Sequence, residues 1–253
     1  MRAALPLVLV LASCAPPPSG GARPREAGAE RGYAPPPAIT AAARGPEGRV
    51  LLAGVATPAS RVRLGSPDGR EIFVVADAAG AWRATLPASD GVSLYGLSAP
   101  QGGRVVQAEG YVAAAPGGEA ARLRAGSGAV VFGPARPGAG LLAADFDHKG
   151  AAVLSGWAPA GAAITLSIDD AARAQVESGP DGRFMLTLDK PLAAGAHAVE
   201  VAGRGAPWRG SLDVSPAAPL AGGPFRAAPV AGGWRVDWLT PGGGVQSTVI
   251  FER

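Results

Sequence analysis

Glycine and proline interrupt this chain so often that a long helix has few places to form. They account for 38 and 25 of the 253 residues, and each is unfavourable inside a helix. The stretches between these breaks are short and apolar, so short strands joined by many turns are the remaining architecture. The sequence predicts an all-β protein, and its length suffices for one or two domains with their own cores.

The N-terminus carries an export pattern. Arg2 precedes an apolar run over residues 3–12, which is too short for a membrane-spanning helix of about 20 residues and is typical of a signal peptide. The run ends in Leu11-Ala12-Ser13-Cys14, which resembles the lipobox of bacterial lipoproteins. The resemblance implies removal of residues 1–13 by cleavage between Ser13 and Cys14, and lipidation of the Cys14 thiol.

A lipid on Cys14 would attach the protein to a membrane. One acyl chain gives only marginal membrane binding, whereas two or three make it stable. Ala15, rather than Asp, follows the cysteine, and by similarity to Gram-negative sorting rules this favours the outer membrane over the inner. The alternative is an ordinary secreted protein with an incidental cysteine. Cys14 is the only cysteine, so no intramolecular disulfide can form.

Residues 14–38 predict a disordered, proline-rich linker. The segment has two triple-proline runs, 16–18 and 35–37, and shows no apolar periodicity. Its expected role is to hold the folded part clear of the membrane, and the alternative is a proline-rich ligand for a partner domain.

An internal repeat follows the linker. At a shift of 102 residues the chain matches itself over nearly 50 positions. The matched pairs are Gly48 with Gly150, Leu52 with Leu154, Gly54 with Gly156, Ala56 with Ala158, Leu64 with Leu166, Gly80 with Gly182, Trp82 with Phe184, Thr85 with Thr187 and Leu86 with Leu188. Each copy alternates short strands with turns, as expected for a β-sandwich.

The turn-and-strand pattern of both copies resembles the bacterial immunoglobulin-like repeats of exported and surface proteins. The first copy lacks the usual glycine at Ala59, and neither has the Cys–Trp–Cys core of antibody domains. The resemblance implies two tandem immunoglobulin-like sandwiches, over 39–116 and 141–216, with a structural or adhesive role and no catalytic residues. Residues 117–140 are expected to connect them, with room for short strands. Two alternating runs around Gly242-Gly243-Gly244 predict a C-terminal β-hairpin within 217–253.

Three tryptophans are candidates for a ligand surface. Trp234 and Trp238 alternate on one strand face, and Trp157 lies beside a turn. Exposed, they would suit a carbohydrate or peptidoglycan ligand, whereas packed inward they would contribute core area, which is the favoured interpretation. Asp145, Asp147 and His148 suggest a metal site, but no further ligand cluster lies nearby, so no metal or cofactor is expected.

Motifs for catalysis are absent. Ser127 lies between Gly126 and Gly128 without the Gly-x-Ser-x-Gly spacing, and no glycine-rich stretch leads into Lys-Ser or Lys-Thr. The net charge of +3 is small and the arginines are scattered, so nucleic acid is not an expected partner. The sequence favours a non-enzymatic, lipid-anchored envelope protein that binds another envelope protein; the alternative is a glycan-binding module.

Overall fold

The computed structural model describes residues 35–133, 138–204 and 207–252. Apart from a short 3-10 turn at Pro46–Gly48, this part of the chain contains no helix. Its first ten strands are β1 (Ala38–Arg44), β2 (Val50–Val55), β3 (Arg61–Gly65), β4 (Glu71–Val75), β5 (Ala81–Leu86), β6 (Ser93–Gln101), β7 (Arg104–Gln107), β8 (Tyr111–Ala114), β9 (Ala120–Leu123) and β10 (Val130–Phe132). The other ten are β11 (Gly140–Phe146), β12 (Ala152–Trp157), β13 (Ala163–Ile168), β14 (Ala171–Glu177), β15 (Arg183–Thr187), β16 (Gly195–Ala202), β17 (Trp208–Val214), β18 (Phe225–Val230), β19 (Gly233–Leu239) and β20 (Val245–Phe251).

The two sequence repeats form two immunoglobulin-like sandwiches, which confirms the predicted fold class. In the first, the sheet β1-β2-β5 (sheet 1) faces a sheet that contains β4, β3, β6 and β7 (sheet 2). In the second, the equivalent strands β11-β12-β15 (part of sheet 3) face β14-β13-β16-β17 (sheet 4). Even the irregularities repeat, because β1 and β11 each carry a register shift at equivalent positions, after Ile39 and Leu141.

The repeated glycines and aromatic residues have a common packing reason. A Cβ atom at Gly54 would overlap the Trp82 ring, and one at Gly156 would overlap the Phe184 ring. Each ring is buried against the bare backbone of the neighbouring strand. The pairing of glycine with an aromatic residue therefore fixes where the largest core side chain of each sandwich lies.

Strands outside the repeat widen both sandwiches. The connecting segment forms β8, β9 and β10, which extend sheet 2 from β6. The C-terminal hairpin forms β19 and β20, and β20 pairs with β11, so the hairpin joins sheet 3 rather than standing alone. The sequence did not predict β18, which adds a third strand to this extension.

The four sheets stack as layers with three hydrophobic cores. One core lies between sheets 1 and 2, and another lies between sheets 3 and 4. The third joins β8–β10 of sheet 2 to β11, β19 and β20 of sheet 3. Sheet 3 is therefore covered on both faces, which explains why every residue of β11 is buried.

Candidate interaction surfaces

The predicted lipidation site lies outside the described residues. This applies to Cys14, to Ser13 and to the rest of the signal and most of the linker. Within the part of the chain that the structure describes, no helix has the length and apolar character needed to cross a membrane.

Trp238 belongs to the core between the sandwiches. Its side chain has no exposed surface, and its Nε1 donates a hydrogen bond to Thr248 Oγ1 at 3.1 Å. The ring packs edge-to-face against Tyr111 of the first sandwich, with ring centroids 5.9 Å apart. Trp238 is therefore not available to a ligand, and the pair of Trp234 and Trp238 does not form a glycan platform.

Trp234 and Trp157 are half-buried against the same core. Trp234 Nε1 donates to Glu252 Oε1 at 2.7 Å, and its ring lies next to Gly91 of the first sandwich. The Trp157 ring lies over Gly182 in the turn before β15. Both rings thus have protein neighbours, and Trp238, which has no exposed surface, does not form a ligand surface with them.

A buried polar network surrounds Asp145 in this same core. Asp145 Oδ1 accepts hydrogen bonds from Thr248 Oγ1 at 2.6 Å and from Gln246 Nε2 at 3.3 Å, and Oδ2 accepts one from the Ala129 amide. Burial raises the pKa of the Asp145 carboxyl to about 6, although these hydrogen bonds act in the opposite direction. The network ties the segment before β10 to sheet 3, and it is structural.

The three suggested metal ligands do not lie together in one site. Asp145 is buried in the core, whereas Asp147 Oδ1 accepts the amides of Lys149 and Ala151 in the turn before β12, and His148 is exposed. No cluster of three or more His, Cys, Asp or Glu side chains suited to a metal ion occurs among the described residues.

The uncovered part of sheet 2 carries exposed apolar side chains among charged and polar ones. Sheet 3 covers β8–β10 and Leu94 at the start of β6, while the outer face of β4, β3, β7 and the rest of β6 is not part of any core. The register places Phe73, Arg63, Ser98 and Gln107 in one row across these strands. Val75 pairs with Arg61 on the β4 side of this face, and Val105 pairs with Pro100 on the β7 side. Val75 and Val105 are 66% and 68% exposed, which is unusual for two valines that share a sheet face.

Strand β4 forms the edge of this face, which we call the β4 edge. It contains the run Ile72-Phe73-Val74-Val75 with Phe73 42% exposed, and on its outer side it pairs with no other described strand. An open edge normally carries charged residues, above all lysine, or proline or a bulge that blocks pairing with another chain. The only charged residue of β4 is Glu71, at its first position and paired with a β3 arginine, so the rest of the strand can accept an additional strand.

Two arginines define the charge beside the β4 edge. Arg63 pairs with Glu71, with Nη2 and Oε1 2.6 Å apart. The Arg61 guanidinium lies over the Phe73 ring at 3.9 Å and forms no ion pair within the described part of the chain. The surface therefore retains one unneutralised positive charge next to its apolar residues.

The β4 edge is not among the sites predicted from the sequence, although the sequence contains a signal for it. Residues 72–75 have no polar alternation, which is unusual for a strand with one face toward solvent. The second copy of the repeat differs at these positions. At a shift of 102 residues, Phe73 and Val75 correspond to Gln175 and Glu177. These two polar residues lie on β14, the equivalent edge strand, in the same register as their counterparts on β4.

Comparisons with known proteins give only distant similarities. No protein-family model and no curated protein matches the chain. A solved structure titled "Biofilm associated protein - BSP domain" aligns with 72% of this chain and 30% of its own, at 13% identity and a TM-score of 0.26. A tetra-tandem repeat from the extending region of a large adhesion protein aligns with 86% of this chain and 56% of its own, at 15% identity and a TM-score of 0.23. This chain spans less than two thirds of either protein, and scores this low transfer no role to it.

Proposed function

We propose that this protein is a lipid-anchored, non-enzymatic interaction module of the bacterial cell envelope. In this proposal Cys14 carries the anchor, in the outer membrane, and the linker holds the sandwiches away from the lipid. The β4 edge binds an extended segment of another envelope protein. That segment adds a strand to sheet 2, with apolar residues toward Phe73 and Val75 and an acidic residue toward Arg61.

The observation that carries the proposal is the unprotected β4 edge. Backbone groups of an edge strand provide affinity for an added strand, and side-chain contacts on alternate residues provide specificity. The unpaired Arg61 selects for a carboxylate, since opposite charges across an interface favour the correct partner. The fold itself does not require this surface, because the second sandwich has polar residues at the same positions.

The anchor is tested by metabolic labelling with an alkyne-bearing fatty acid in the source bacterium. The wild-type protein should be labelled and should fractionate with the outer membrane, and Cys14→Ser should lose both properties. A wild-type protein that remains as unlabelled as Cys14→Ser would overturn the membrane assignment.

The β4 edge is tested by placing a photo-cross-linking amino acid at position 75 in cells. A single protein should be captured repeatedly, through a segment that contains apolar residues and at least one acidic residue. The matched control is the same amino acid at position 177, the equivalent edge position of the second sandwich, where this adduct should be absent.

A second variant transfers the residues of the second sandwich to the first. Phe73→Gln with Val75→Glu reproduces the edge of β14 and should abolish the adduct from a cross-linker at position 105. Equal capture at positions 75 and 177, capture of a second copy of this chain, or an adduct that survives the double substitution would each refute the proposal.

A further inference from the structure

A second candidate site lies where the chain enters the first sandwich. Pro36, Pro37 and Ile39 form one wall of a pocket of about 150 Å³, and Leu97 and Val112 contribute to the rest. This volume accommodates a group about the size of benzene. We call this cavity the β9 pocket, because the two arginines that line it, Arg122 and Arg124, lie at the end of β9.

The two arginines differ in their partners. Arg124 Nη2 pairs with Glu109 Oε2 at 2.6 Å. The Nε atoms of both arginines are buried without an acceptor, but Arg122, unlike Arg124, has no hydrogen bond or ion pair with any residue in the described ranges. A buried donor without an acceptor is costly, so Arg122 lacks a partner that an anion would supply.

The electrostatic surroundings of Arg122 also favour an anion. Burial lowers the pKa of its guanidinium, and repulsion from Arg124 and Arg183 lowers it further. Glu109, which also lines the pocket, acts in the opposite direction, but its carboxylate pairs with Arg124. A second carboxylate would pair with Arg122, and its planar shape matches the two-pronged donor geometry of a guanidinium.

An open cleft of about 480 Å³ adjoins the β9 pocket. The two cavities share the stretch 108–111 and Leu97. Gly65 and Gly96, which face each other on β3 and β6, contribute no side chains to the cleft. The cleft therefore has room for several residues of an extended polypeptide that leads into the pocket.

We propose that the β9 pocket binds the carboxyl-terminal residue of a partner polypeptide whose last side chain is apolar. The terminal carboxylate pairs with Arg122, the apolar side chain packs against Pro37, Leu97 and Val112, and the preceding residues lie in the cleft beside Gln107 and Ser98. The β9 pocket shares no lining residue with β3 or β4, although the adjoining cleft extends to Arg63 next to the β4 edge. Binding in the pocket requires neither an added strand at the β4 edge nor a lipid anchor, so either proposal can fail without the other.

The test uses the full-length chain in mild detergent and the peptide Ac-Ala-Ala-Ala-Val with a free carboxylate. Binding is measured by calorimetry and by amide NMR shifts of residues 108–112. The matched ligands are the same peptide with a carboxyl-terminal amide, and isovalerate. The free-acid peptide should bind at least about tenfold more tightly than the amide, because a charge-assisted hydrogen bond contributes this much. It should also bind more tightly than isovalerate, which keeps the carboxylate and the apolar group but lacks the residues that lie in the cleft.

The protein variants separate the pocket from general charge. Arg122→Gln should weaken binding of the free-acid peptide about tenfold or more, whereas Arg209→Gln, on exposed β17, should not change it. The acid and amide comparison on wild-type protein gives an answer even if Arg122→Gln fails to fold. Equal affinity of the acid and the amide, isovalerate binding as tightly as the peptide, or no binding at all would each overturn the proposal.

Discussion

Replacement of Asp145 by asparagine should remove a specific pH dependence from the stability of the protein. The carboxyl lies in the core between the two sandwiches with 2% of its surface exposed. Its hydrogen bonds from Thr248, Gln246 and the Ala129 amide do not compensate for burial, so its pKa is raised to about 6 in the folded protein. Asparagine has nearly the same shape and does not titrate.

The sign and size of this pH dependence follow from the difference between the folded and unfolded pKa of Asp145. Because the folded pKa lies above the unfolded value of 3.8, the folded state holds its proton more tightly between these two pH values. The contribution of Asp145 to the free energy of unfolding is complete below pH 3.8 and is lost as pH rises through 6. The total loss is about 3 kcal/mol, of which about 2 kcal/mol falls between pH 4.5 and 7.5.

Urea unfolding monitored by tryptophan fluorescence measures this effect at the two pH values. The free energy of unfolding of wild type minus that of Asp145→Asn should fall by about 2 kcal/mol from pH 4.5 to 7.5. The contributions of the other titrating groups to the free energy of unfolding cancel in this difference. Thr248→Val is the second variant, and because it removes a hydrogen bond that lowers the pKa, it should move the transition to higher pH. A wild-type-minus-asparagine difference that stays constant would refute the reasoning.

Three further predictions concern packing and titration. Gly156→Ala should destabilise the fold by about 1–3 kcal/mol in urea unfolding, because the added methyl overlaps an aromatic ring, whereas Gly242→Ala, where nothing lies within 4 Å, should be nearly neutral. The pKa of His197 is raised by hydrogen bonds to the Ala193 carbonyl and to Asp169, so its stabilising contribution is present below pH 6.5 and is lost as pH rises through the folded pKa. NMR titration of the imidazole should show this raised value, and Asp169→Asn should lower it only partly. Trp238→Ala should cost about 3–5 kcal/mol, and a loss below 1 kcal/mol would contradict its place in the central core.

The sequence predicts most of the fold because the repeat encodes it locally. An aromatic ring packs directly on the backbone of a glycine in both copies, Trp82 on Gly54 and Phe184 on Gly156. Gly80 and Gly182 occupy equivalent turns with φ angles of +83° and +77°, which favour glycine. Such constraints act over short distances, so they are visible as spacing and alternation in one chain.

The arrangement of the sandwiches could not be predicted in the same way. The central core depends on β8–β10 meeting β11, β19 and β20. The contacts with β19 and β20 join segments about 100 residues apart, and they have no periodic signal of their own. Trp238 therefore has the same alternation as a surface tryptophan and yet has no exposed surface. The pairing of Asp145 with Thr248 belongs to the same class of long-range contact.

The repeat also separates what the fold needs from what a binding surface needs. Strands β4 and β14 occupy equivalent edges and share a register, with Arg61 opposite Val75 and Ala163 opposite Glu177. If the sandwich required an apolar outer edge, both copies would show it, but only β4 does. Burial within the described chain does not account for the difference, because Val75 is 66% exposed. Exposed valine and phenylalanine on an open edge favour aggregation, so their presence on one copy alone supports the partner strand that we propose at the β4 edge.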